Sequence, residues 1–62
     1  MTEGFYHQRR GQLLEEFYRM KSLRLNRSAA ARVRKIAKLD LEFDSIPIEK
    51  TYQVFGYQEL MR

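Results

Sequence analysis

Eight basic side chains stand between positions 19 and 38 with no acid among them: Arg19, Lys21, Arg24, Arg27, Arg32, Arg34, Lys35 and Lys38. The residues before this window sum to −1 and those after it to −3, so the window alone makes the chain basic, at a net +4. Segregated positive charge attracts polyanions and acidic surfaces far better than the same excess scattered over a surface. Arginines outnumber lysines in the window by five to three. That balance suits forked hydrogen bonds to phosphate oxygens or to the guanine edge.

The other residue types able to do chemistry do not assemble into a site. There is no cysteine, which removes thiolate nucleophiles, disulfides and thiolate metal ligands. The one imidazole, His7, lies near the N-terminus beside Phe5 and Tyr6 and reads as a surface or boundary residue rather than a general base. Glu15 and Glu16 are neighbours on a helix, so their side chains diverge by about 100° and read as a solvated face. Asp40, Glu42 and Asp44 open like a calcium loop, but Ser45 and Thr51 occupy the positions where that loop needs glycine and glutamate. Gly4, Gly11 and Gly56 stand alone, outside any phosphate-cradling pattern. The expectation is a protein that is not an enzyme and uses no cofactor, metal or small-molecule substrate.

The elements that position the basic window follow from periodicity. From about 5 to 22, Tyr6, Leu13, Phe17 and Met20 fall in one narrow helical arc, with Leu14 and Tyr18 flanking it. Gly11 weakens the middle, so firm helix is expected only from Gln12. Leu23 to Asn26 reads as the turn, with Arg24 in it. A second helix over about 28–39 places Ala29, Ala30, Val33, Ile36 and Ala37 on one face. Arg27, Arg34, Lys35 and Lys38 gather opposite, and Arg32 lies at the edge. Asn26 or Ser28 is the expected cap. Small side chains on this helix complement the bulky Leu, Phe and Met residues of the first, which predicts an antiparallel helical hairpin.

Residues 39–44 alternate strictly in polarity, and a continued helix would put Asp40 on the apolar face beside Val33 and Ala37. The segment is therefore expected to be an extended connector or one extra turn. Ser45-Ile46-Pro47 reads as the start of a helix over about 46–55, with Ile48, Tyr52 and Phe55 on its inner face and Gly56 ending it. A strand over 51–55, paired in a hairpin with 39–44, competes with that assignment. A short last turn covers 57–62. The fold class is thus mainly α: a single small domain over 1–62, made of a helical hairpin plus a shorter C-terminal helix.

A chain of 62 residues buries only about 60% of its unfolded surface, so its core is marginal. Self-association as a homodimer, or docking on a partner, is the available source of extra stability. No apolar run is long enough to cross a membrane, and no apolar leader follows Met1, which leads to the expectation of a cytoplasmic protein. Together these features predict a small basic regulator that binds nucleic acid, DNA or RNA, through Arg24, Arg27, Arg32, Arg34, Lys35 and Lys38. The alternative is a small adaptor or inhibitor docking on an acidic surface of a larger protein.

Overall fold

The computed structural model describes residues 1–62 and contains four helices: α1 (Glu3–Ser22), α2 (Asn26–Asp44), α3 (Ile48–Phe55) and α4 (Tyr57–Leu60). The molecule measures 33 × 21 × 13 Å, and its longest dimension is close to the length of α1, since 20 residues rising 1.5 Å each span about 30 Å. The mainly α class holds. α1 and α2 form the hairpin, and α3 and α4 close back onto α2.

α1 starts earlier than Gly11 suggests. Thr2 caps it, its Oγ1 accepting from the Phe5 N–H at 3.2 Å, and burial of Tyr6 anchors the first two turns. These gains outweigh one interior glycine. A Cβ built on Gly11 meets nothing within 4 Å, so Gly11→Ala is expected to stabilise the fold by about 0.5–1 kcal/mol, read as a higher midpoint in urea unfolding.

The turn between α1 and α2 closes tightly. The Leu25 N–H donates to the Met20 carbonyl at 2.9 Å and the Arg24 N–H to the Lys21 carbonyl at 3.0 Å. This pattern requires a left-handed residue, which is usually glycine; here it is Arg24, at φ 61. α2 then begins at Asn26 behind Leu25, with no side-chain cap. Neither Asn26 nor Ser28 acts as the cap, because the turn already aims the Leu25 carbonyl at the Ala29 N–H, 2.9 Å away.

The core lies where the bulk complementarity puts it. Phe17, Ala29, Ala30, Val33 and Leu60 form its centre, and Met20, Tyr52, Phe55 and Tyr57 pack around them. Phe17 meets Phe55 edge-on at 5.2 Å. Leu13 and Ile36 are also fully buried. Alanines on α2 let α1 and α4 approach closely, and the large residues of those helices fill the space.

The segment 39–44 is helical throughout, which bears out the extra helical turn over the extended connector and removes the hairpin with 51–55. Asp40 does fall on the apolar face and is 2% exposed. It does not stop the helix because three donors from two other helices meet it. Tyr6 Oη donates to Oδ1 at 2.7 Å. Arg10 forks onto both oxygens, Nε to Oδ1 at 2.9 Å and Nη2 to Oδ2 at 3.3 Å. Thr51 Oγ1 donates to Oδ2 at 3.2 Å. Phe43, further along α2, stacks on the Tyr6 ring at 4.2 Å.

This clasp joins α1, α2 and α3 at one point, and it shifts the titration of its members. Burial raises the Asp40 carboxyl, but the Arg10 and Tyr6 hydrogen bonds, the Arg10 charge and the Thr51 hydroxyl together hold it below its ordinary value. The hydrogen bond to Asp40 raises the Arg10 guanidinium further. Burial, followed by the hydrogen bond and charge of Asp40, pushes the Tyr6 phenol up to about 12. A raised folded value means that this stabilisation is complete below the unfolded pKa, about 10, and is lost as pH rises through about 12. In an alkaline titration of phenolate absorbance, the step near pH 12 is expected to disappear in Tyr6→Phe.

α2 ends at Asp44 with Ser45 in the left-handed conformation, φ 57. Pro47 precedes α3 rather than lying in its first turn, because its ψ of 142 is extended. Thr51 is the buried residue of α3, drawn in by Asp40, while Tyr52 and Phe55 are half-buried and Ile48 is exposed. Gly56 ends α3 at φ 64, as its type suggests. No helix is long and apolar enough to cross a membrane.

Candidate nucleic-acid interface

The apolar arc of α2 fixes what its opposite side presents. Ala29, Val33, Ile36 and Asp40 point into the molecule, so Arg27, Arg34, Lys35 and Lys38 point out, and all four are exposed. None of these four has a carboxylate within ion-pairing distance. Arg34 is oriented by Tyr57, its Nη1 donating to the phenol oxygen at 3.0 Å. Tyr57 is in turn stacked on Tyr52 at 4.1 Å.

The six residues expected to form the site separate into two groups. Arg32 faces α1, where its Nε meets Glu16 Oε1 at 3.0 Å and both side chains are partly covered, so its charge is already matched. The other five are exposed. Arg24 joins Arg27 and Arg34 around a hollow of about 530 Å³ that is also lined by Asn26, Leu60, Met61 and Arg62. Lys35 and Lys38 lie further along α2, beside Arg9, Leu13, Leu39 and Glu42. Arg19 and Lys21 end α1, where cations favour the negative end of the helix dipole.

Two cations outside the basic window therefore join the face: Arg9 from α1 and Arg62 after α4. Arg9 stands at the edge of the apolar arc and is half-buried, so neither its place on this face nor its nearness to Lys35 is legible before the hairpin forms. Nothing local marks Arg62. The aromatic side chains are mostly occupied in packing, with Tyr6 and Phe17 buried and Tyr52, Phe55 and Tyr57 half-buried. Tyr18 is the exposed exception among the tyrosines, at 61%.

The acids do not build a competing centre. Asp40 points into the core, while Glu42 and Asp44 are exposed, and no three acids or histidines converge. The small groove between α1 and α3 exposes the edge of the Arg10–Asp40 pair among Ile46, Lys50, Thr51, Val54 and Phe55. Both Asp40 oxygens already accept hydrogen bonds there, so the group has the character of a structural clasp rather than a base. No family model, no curated protein and no solved structure matches this chain.

Proposed function

We propose that this chain is a small, non-enzymatic regulator that binds nucleic acid in the cytoplasm through the exposed basic face of α2. What supports the reading is the unpaired stripe of Arg27, Arg34, Lys35 and Lys38, opposite a fully packed apolar face. Arg27 and Lys38 are separated by about 16 Å along the axis at 1.5 Å per residue. That length equals the axial rise of about five base pairs of a duplex. Contacts from this face to phosphates position the protein on the backbone and carry no sequence information by themselves. A homodimer would double the charged surface, and light scattering measures its mass directly.

The test is titration of labelled duplex DNA, single-stranded DNA and structured RNA at two salt concentrations. Contact with four or five phosphates gives log K against log salt a slope near −4. Absence of binding to all three at low salt would overturn the proposal and favour docking on an acidic protein surface.

A further inference from the structure

We propose that the arginine-lined hollow at the start of α2 is the anchoring subsite of this face, taking one phosphodiester group of a nucleic-acid strand in forked hydrogen bonds. The proposal rests on the nucleic-acid reading of α2 and adds where on that face the strand is held. Arg24, Arg27, Arg34 and Arg62 come from the α1–α2 turn, two positions on α2 and the segment after α4, and they line one concavity. The one carboxylate that pairs with any of them is Glu59, 3.4 Å from Arg62 between two highly exposed side chains. Such a pair opens readily in water.

The chemistry differs between the two ends of the stripe. Four guanidiniums around a hollow present flat forks that match the oxygens of a phosphate. At the other end, Lys35 and Lys38 are point charges, and one half-buried guanidinium, that of Arg9, lies beside them with Glu42. The arginine end holds a phosphate in a defined place, and the lysine end adds attraction that salt screens.

Arg24 adopts φ 61 in a turn whose hydrogen bonds favour glycine. Its side chain is exposed and contributes nothing to the core, so local packing gives no return for the strain. Strain of this kind clusters at functional sites, but it also occurs at the exposed Ser45, so the guanidinium has to be tested apart from the backbone. Ser45 is the natural comparison, since it is also left-handed, at φ 57, but sits at the far end of α2.

The experiment compares Arg24→Gly, Arg62→Gln and Ser45→Gly in thermal melts and in anisotropy titrations with labelled DNA and RNA duplexes of about 16 base pairs, long enough to span the stripe. Arg24→Gly and Ser45→Gly are both expected to raise the melting temperature by a few degrees, because each relieves a left-handed residue. Only Arg24→Gly and Arg62→Gln should weaken binding, each about tenfold. Unchanged affinity in both, alongside weakening by Lys35→Gln and Lys38→Gln, would overturn the subsite and leave the α2 reading standing. Loss of affinity in Ser45→Gly equal to that in Arg24→Gly would also overturn it, since strain relief rather than the guanidinium would then be responsible. Failure of the unmodified protein to bind these duplexes, single-stranded DNA and structured RNA alike would remove both readings together.

Discussion

Asp40→Ala is expected to leave the chain largely unfolded at room temperature, with no cooperative melt by far-ultraviolet circular dichroism. The carboxylate is 2% exposed and accepts from Tyr6, Arg10 and Thr51. Its removal strands the partly buried Arg10 guanidinium, at 29% side-chain exposure, and two buried hydroxyls. Breaking a buried ion pair on one side costs about 3–5 kcal/mol. A domain of this size has about 3–9 kcal/mol in all, from roughly 0.05–0.15 kcal/mol per residue. The loss is thus comparable with the whole stability.

The comparison that isolates the cause replaces the entire clasp. A variant combining Tyr6→Phe, Arg10→Met, Asp40→Leu and Thr51→Val is expected to fold, because removing every partner leaves no polar group unmatched. A native-like melt for Asp40→Ala alone would refute this account. The same carboxylate sets the acid limit. Its folded pKa is depressed, so its contribution is present above the unfolded value of about 3.9 and is lost as pH falls through the lower folded one. Acid unfolding should therefore begin below pH about 4 and be absent as a distinct step in the four-residue replacement.

The largest functional effect is expected from reversing three charges on α2 at once. Arg34→Glu, Lys35→Glu and Lys38→Glu together should abolish detectable nucleic-acid binding at physiological salt, a loss of about a hundredfold or more. Helix content should be unchanged, since all three side chains are exposed. Within the folded protein the change removes one surface hydrogen bond, that from Arg34 to Tyr57. Neutral replacements at the same positions should flatten the salt slope by about one for each phosphate neutralised no longer. Retained binding in the charge-reversed protein would place the nucleic-acid surface elsewhere.

Reversal must be read against a folded protein. The basic face and the clasp are on opposite sides of α2, and the three reversed residues share no partner with Asp40. Their effects should therefore be independent of those of Asp40. A melt that matches the unmodified protein, combined with abolished binding, separates surface chemistry from fold.

The hairpin, its facing surfaces and the outward basic stripe were legible because they depend on local periodicity. Ala29, Val33 and Ile36 recur at helical spacing, and so Arg27, Arg34 and Lys38 must lie on the other side. The turn at Arg24 and the end of α3 at Gly56 were legible for the same local reason. Asp40 was not. A carboxylate in an apolar arc reads as a helix stop until its partners are known, and Arg10 lies 30 positions away.

The same distinction runs through the site. Residue order alone determined that this chain is helical, that positive charge is segregated, and which face of α2 carries it. Only the tertiary structure decided that Glu16 occupies Arg32, that Arg9 joins Lys35 and Lys38, and that Arg62 completes a hollow with Arg24, Arg27 and Arg34. Helical period acts over about four residues through the backbone. Charge pairing acts through space, between side chains that meet only after the helices have packed.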